Sequence, residues 1–288
     1  MKISEILKSE KPKISFEVFP PKTTSSFESV REATEKIASL SPSYMSVTYG
    51  AGGGTSRFTL DIAANIEKKY RLPTLAHLTC VSSTRATVEE QISNMRGLGI
   101  KNIMALRGDI PADMQGVKRE YSYAVELVEQ IRRYGNEFCI GGACYPEVHP
   151  ESIDAKSDLI HLRDKVDAGL DFLTTQMFFD NSLYYKFLEN AEKYGIDIPI
   201  VPGVMPITAR TQVERAISLS GSYMPPKFLN IVEKFGSDPD SMKSAGLEYA
   251  SRQIDDLFSH GVRNVHVYTM NKPDVAETIL RNLACVLK

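Results

Sequence analysis

The residue best placed to do chemistry in this chain is Glu17, a carboxylate inside an apolar run. The octapeptide Ser15-Phe16-Glu17-Val18-Phe19-Pro20-Pro21-Lys22 reads as a strand that stops at two prolines, whose missing N–H groups cannot continue a ladder. At a period of two, Ser15, Glu17 and Phe19 share one face, and Phe16 and Val18 share the other. A Glu17 aimed at an apolar interior would favour its neutral form, which suits proton donation. The same position also suits a buried ion pair with a Lys or Arg from elsewhere. Glu17 alone does not choose between catalyst and structural pair.

Other polar residues gather where apolar runs end. Thr48-Tyr49-Gly50-Ala51-Gly52-Gly53-Gly54-Thr55 is a glycine run whose backbone could approach a ligand closely, or serve only as a turn. It lacks the last glycine of G-x-G-x-x-G and the Lys of a phosphate loop. His77, in Ala76-His77-Leu78-Thr79-Cys80, is either a satisfied core histidine or a ligand. Arg107-Gly108-Asp109 breaks an apolar run with a cation and an anion, as a catalytic rim or a terminating ion pair. Tyr145-Pro146-Glu147-Val148-His149-Pro150-Glu151 is stiffened by its prolines and is the most specific loop in the chain. Its alternating His149, Glu147 and Glu151 do not match a known metal pattern, so no metal is expected. Asp158, His161 and Lys165 follow at near-helical spacing, facing one ligand or solvent. Gln176, beside Met177-Phe178-Phe179, could hydrogen-bond a planar heterocycle or satisfy buried backbone groups.

The elements that must position these residues are short β-branched or aromatic runs at 14–19, 44–49, 74–80, 102–106, 138–144, 171–176, 198–204 and 264–269, each followed by a helical pattern. Eight such repeats without a clear reversal point predict an α/β chain folded as a closed (β/α)8 TIM barrel rather than a doubly wound open sheet. Thr87-Val88-Glu89-Glu90 predicts a helix start, and Gly97 and Gly99 its end. The long interval before the last strand, punctuated by Pro225-Pro226 and Ser237-Asp238-Pro239, predicts extra helices between strands 7 and 8. In such a barrel chemistry sits at the C-terminal strand ends. That rule places Glu17, Thr48, His77, Asp109, Tyr145, His149 and Gln176 at one rim.

With 288 residues, 42% hydrophobic and a net charge of −2, residues 1–288 read as one domain with a sizeable core. The charge balance gives no reason to expect nucleic acid or an anionic membrane as partner. No apolar run approaches a membrane span or a secretory leader. Cys80, Cys139, Cys144 and Cys285 lack metal-ligand spacing and read as free thiols of a reducing cytoplasm. No G-x-S-x-G or H-E-x-x-H motif supports a serine hydrolase or zinc protease.

In this order, Ser-Phe-Glu-Val-Phe-Pro-Pro-Lys, Ser-Val-Thr-Tyr-Gly-Ala, Ala-His-Leu-Thr-Cys, Ala-Leu-Arg-Gly-Asp, Tyr-Pro-Glu-Val-His-Pro-Glu, Lys-Val-Asp-Ala-Gly and Thr-Gln-Met-Phe-Phe-Asp resemble segments of the methylenetetrahydrofolate reductase family. The resemblance implies a barrel that binds FAD and reduces 5,10-methylenetetrahydrofolate to 5-methyltetrahydrofolate with NADH or NADPH in a ping-pong cycle. It makes Glu17 the general acid and Asp109 the charge between pterin and flavin. Thr48, Tyr49, Ala51, His77, Arg107, Gly108, Asp109, Ala124, Tyr145, His149, Asp158 and Lys165 match flavin-contacting positions, with Arg107, His149 and Lys165 as partners for the diphosphate. Gln176 matches a residue serving pterin and nicotinamide in turn. Lys272 stands where some members use an arginine toward folate, and Arg210 where some use a covering phenylalanine. A homo-oligomer is expected, without control by S-adenosylmethionine. Two rivals remain: electrons delivered by a redox-protein partner, and a barrel that binds folate without catalysis.

Overall fold

The computed structural model describes residues 1–21, 23–49, 56–110, 116 and 118–288, together with the side chains of nearly all of them. Elements follow one another as α1 (Ile3–Ile6), β1 (Lys13–Val18), α2 (Phe27–Ser39), β2 (Met45–Val47), α3 (Ser56–Tyr70), β3 (Thr74–Thr79), α4 (Arg85–Gly97), β4 (Asn102–Leu106), α5 (Ala124–Arg132), β5 (Cys139–Cys144), α6 (Ala155–Asp167), β6 (Phe172–Thr175), α7 (Asn181–Lys193), β7 (Ile200–Val201), β8 (Gly203–Val204), α8 (Thr211–Ser220), α9 (Pro226–Phe235), α10 (Pro239–Ser259), β9 (Asn264–Tyr268) and α11 (Pro273–Asn282). All strand pairs are parallel, in the order β7-β6-β5-β4-β3-β2-β1-β9-β8. The two ends of this order are separated in sequence by Pro202 alone, so the sheet is a nearly closed barrel.

The expected seventh strand is thus split, and the reason is chemical. Proline has no N–H for a ladder. Ile200 and Val201 pair with β6, whereas Gly203 and Val204 pair with β9. The Pro202 carbonyl accepts from His266 N at 2.9 Å, and Gly203 N donates to the Thr175 hydroxyl at 2.9 Å. A Cβ on Gly203 would lie 2.5 Å from both the Thr175 carbonyl and the Tyr268 hydroxyl.

Alternation decides what faces inward. Ile14, Phe16, Val18, Met45, Val47, Ala76, Leu78, Val265 and Val267 belong to the shell core beneath the helices. The opposite parity lines the barrel. At its N-terminal end Tyr44, Leu75, Met104, Cys139, Phe172 and Val201 form an apolar plug, closed by Ile3 and Leu7 from the N-terminal segment. Asn102 fastens that segment, its side-chain oxygen accepting from Ile3 N at 2.7 Å. Above the plug the inward positions turn polar: Ser15, Glu17, Ser46, His77, His266 and Tyr268.

The extra helices between the last strands are present as α8 and α9, with α10 following. They bury a second apolar cluster, including Met177, Phe179, Ile207, Met224, Phe228 and Met242. Helix α4 begins earlier than Thr87: Thr84 is its N-cap and accepts from Thr87 N at 3.1 Å. Thr87 is therefore the capped residue rather than the cap.

Gly203→Ala should cost on the order of 1–3 kcal/mol, because the new methyl meets a backbone carbonyl and a ring that spans the barrel. Urea unfolding measures this, and an unchanged midpoint would contradict the closure described.

Candidate functional site

Glu17 stands on β1 in register with Ser46 on β2 and Tyr268 on β9. Its carbonyl accepts from the Thr269 hydroxyl at 2.8 Å. Just beyond, where Pro20 and Pro21 end the strand, the Asn271 side chain accepts from Phe19 N and donates to Phe19 O, both at 2.9 Å. A side chain thus replaces the strand partner that prolines cannot bind. Met270 and Asn271 take left-handed φ of 55° to make this reach.

The Glu17 side chain is about one-fifth exposed, and Ser46 Oγ donates to its Oε2 at 3.3 Å. His77 Nε2 lies 3.7 Å away and His266 Nε2 3.9 Å. Among the described residues no Lys or Arg lies within ion-pair distance of Glu17, which corrects the reading of a buried pair with such a residue. Nor does His77 supply the charge. Its burial pushes the imidazole pKa down to about 4, outweighing the upward pull of Glu17, so the ring is neutral near pH 7. His77 Nε2 is buried without a hydrogen-bond partner, so it is not the satisfied core histidine that the strand pattern allowed.

At the rim, Arg107 is paired with Glu151 rather than with Asp109, through contacts of 2.5 and 2.7 Å. This pairing holds Arg107 above and Glu151 below their ordinary pKa values. Asp109 is exposed, within electrostatic reach of Arg107 and Tyr145. Gly108 has φ of 84° and packs so close to Thr79 that a Cβ would lie 3.1 Å from Thr79 Cβ. Tyr145 meets the His149 ring edge-on at 4.6 Å, and the Gln176 side chain reaches the Tyr145 hydroxyl. The intervening Val148 has φ of 75°, a costly conformation for a β-branched residue.

Other expected positions separate. Asp158 orders the same loop, accepting from His149 N at 3.2 Å and the Ser152 hydroxyl at 2.8 Å. Lys165 donates to the Ala143 carbonyl at 2.7 Å, and burial lowers its pKa. His161, on the same helix, is largely exposed and does not join them. Glu147 accepts from Tyr223 N at 2.7 Å, Glu151 pairs with Arg107, and His149 Nδ1 accepts from Glu151 N at 3.0 Å. Among the described residues no group of three or more His, Cys, Asp or Glu is placed to hold a metal ion. Ala124 opens α5, Thr48 and Tyr49 follow β2, and Ala51 lies outside the described residues. Lys272 donates to the Thr208 hydroxyl at 3.1 Å, while Arg210 is exposed and lies over Gly236. Among the described residues no helix is long and apolar enough to cross a membrane, and the four cysteines are free.

The sequence reading missed Ser46, His266, Thr269 and Asn271. The signal for His266 was available, since Asn264-Val265-His266-Val267-Tyr268 alternates as cleanly as the Glu17 strand.

The unpartnered His77 nitrogen and the Gln176 amide beside Tyr145 are polar groups of the kind that orient a bound ligand. A parallel barrel with this polar interior is the frame of an α/β-barrel enzyme. The chain belongs to the methylenetetrahydrofolate reductase family, whose profile matches residues 2–284. It is 35% identical over 270 residues to the 5,10-methylenetetrahydrofolate reductase of Pectobacterium carotovorum subsp. carotovorum, covering 94% of this chain and 89% of the relative. Against methylenetetrahydrofolate reductase (NADH) 1 of Arabidopsis thaliana it is 34% identical over 99% of its own length, and it spans 50% of that longer protein. Among solved structures, a Clostridium thermocellum protein that binds two copies of 5-methyl-5,6,7,8-tetrahydrofolic acid shares the fold, with a TM-score of 0.68, 14% identity and 99% of both chains covered.

The depressed His77 pKa has a thermodynamic consequence. Between about pH 6.5 and pH 4 the unfolded chain binds a proton at this residue that the folded chain refuses, so stability rises with pH across that window. On the order of 2–4 kcal/mol should be lost on acidifying through it. Urea unfolding across pH checks this: His77→Asn should flatten that part of the profile, and an unchanged slope would contradict the assignment.

Proposed function

We propose that this chain reduces 5,10-methylenetetrahydrofolate to 5-methyltetrahydrofolate, with NADH or NADPH as reductant, FAD as cofactor, and residues 1–288 as one catalytic domain. The observation that carries the reading is Glu17: a carboxyl on the inner face of the barrel, hydrogen-bonded by Ser46 and faced by two imidazoles instead of a cation. Family membership and the reductases among its relatives support the substrate, and the plant relatives described as NADH enzymes support the reductant.

The substrate's methylene carbon is locked in a ring between two nitrogens, N5 and N10. Protonation of N10 opens that ring to an N5 iminium cation, the form that accepts hydride. Glu17 is assigned as the donor to N10. No lysine or arginine among the described residues lies within ion-pair distance of its carboxyl; its neighbours are Ser46, His77 and His266. Asp109 at the rim supplies a negative charge that stabilises the cationic iminium. Gln176, beside Tyr145, offers amide hydrogen bonds to the edge of a planar ring. Lys272 is assigned to the folate carboxylate tail, which would draw it from Thr208. Arg107, His149 and Lys165, with Thr48, Tyr49, Ala51, His77, Gly108, Ala124 and Asp158, are assigned to the cofactor. Bound FAD would supply the hydride and accept it from the nicotinamide.

Glu17→Gln separates the two half-reactions. Reoxidation of the reduced protein by methylenetetrahydrofolate should fall by at least about a hundredfold, the scale of a lost general acid, while reduction by NADH or NADPH persists. Stopped-flow absorbance measures both. Loss of both together, in a variant that keeps the unmutated unfolding midpoint, would contradict the acid assignment.

A further inference from the structure

Behind Glu17 the barrel holds a run of hydrogen-bonding side chains. Ser46 Oγ lies 3.3 Å from Glu17 Oε2 and 3.0 Å from His266 Nε2. His266 Nδ1 lies 2.7 Å from Ser15 Oγ, which in turn lies 3.4 Å from the Val265 carbonyl. Ser15, Ser46 and His266 are 1%, 0% and 2% exposed, so bulk water does not compete for these contacts. The imidazole is held flat against Tyr44, with ring centroids 5.7 Å apart, and edge-on to Tyr268 at 5.4 Å. Burial pushes both phenols well above their ordinary pKa, so neither brings a charge.

Three protons serve the three contacts between these side chains: the Ser15 hydroxyl, the single N–H of a neutral imidazole, and the Ser46 hydroxyl. An ionised carboxylate oxygen only accepts. Ser46 must therefore donate to Glu17 Oε2, and its own oxygen must accept from His266. That fixes the ring proton on Nε2 and leaves Nδ1 to accept from Ser15. The reverse direction turns the Ser15 hydroxyl toward Val265 O and sets the Ser46 lone pairs against Oε2. It is tenable only with a proton on Oε2 itself.

We infer that His266, as its Nε2–H tautomer, is a positioning residue that acts through Ser46 to hold Glu17 Oε2 as a standing acceptor, reserving Oε1 for the proton that is transferred. This rests on the reading of Glu17 as the acid. Oε1 takes no hydrogen bond from the described residues, whereas Oε2 is the atom that Ser46, His77 and His266 surround. When the Oε1–H bond breaks and the new N–H bond forms on the substrate nitrogen, the electron pair stays on the carboxylate, and the charge meets a donor already aligned.

The tautomer is read by long-range 1H–15N correlation NMR on the 15N-labelled, unmutated protein at pH 8. The chain has five histidines, and loss of one signal set in His266→Gln assigns the residue. The expected result is a protonated Nε2 and a bare Nδ1 at His266; a protonated Nδ1, or an imidazolium, overturns the inference. As a second readout, Ser46→Ala should slow reoxidation by methylenetetrahydrofolate about tenfold, the size of one hydrogen bond to a charged group. His266→Gln, which can both donate and accept, should keep the rate within about threefold of the unmutated protein, and His266→Ala should not. An unchanged rate in Ser46→Ala, or equal losses in the Gln and Ala variants, overturns it. The NMR readout needs no substrate. Failure of the reductase reading would appear separately, as absent methylenetetrahydrofolate turnover by the unmutated protein.

Discussion

The structure depends on keeping one carboxyl group inside a parallel barrel without giving it a cation. A lysine or arginine beside Glu17 would hold the carboxylate ionised and remove it from proton transfer at neutral pH. Its neighbours are instead a serine hydroxyl and two imidazoles, of which His77 is kept neutral by burial. This is costly, since a desolvated carboxyl and an orphaned imidazole nitrogen both forfeit interactions that water would provide. The apolar plug below and the shell core outside bear that cost, through the burial of Phe16, Val18, Tyr44, Leu75 and Phe172 around the polar layer.

Proline placement shapes the site as much as the polar residues do. β1 ends at Val18, two residues before Pro20-Pro21, and Asn271 takes over the backbone groups of Phe19. Pro202 splits the seventh strand, freeing Gly203 to pass under Tyr268, whose hydroxyl reaches the Thr175 carbonyl at 2.6 Å. Pro146 and Pro150 bracket the loop in which Val148 is left-handed and Tyr145 meets His149. In the first two cases a side chain supplies the hydrogen bond where regular pairing stops: Asn271 at Phe19 and Thr175 at Gly203.

Much of this was legible in the residues. The strand runs and the helices between the last strands follow from periodicity, and the inward face of Glu17 follows from alternation in a six-residue strand. Partners that depend on closure were not legible. Arg107 reads as the neighbour of Asp109, yet it pairs with Glu151, 44 residues away, because β4 and β5 lie side by side. Ser46 looks like an ordinary strand serine until register sets it opposite Glu17. His266, 249 positions after Glu17 by subtraction of their numbers, reaches it only because β9 closes on β1. The split at Pro202 was visible as a proline in a strand, but its role in closure needed both neighbours in place.

Family membership supports methylenetetrahydrofolate reduction, and the cation-free carboxyl is the basis on which Glu17 is proposed as its proton donor and a flavin as its cofactor. The most direct measurement is the anaerobic visible spectrum of the purified protein, supplied with FAD, during sequential additions. The account predicts that NADH or NADPH bleaches the bound flavin and that methylenetetrahydrofolate restores its colour. Flavin that neither nucleotide bleaches, or that stays reduced when the folate is added, would contradict it.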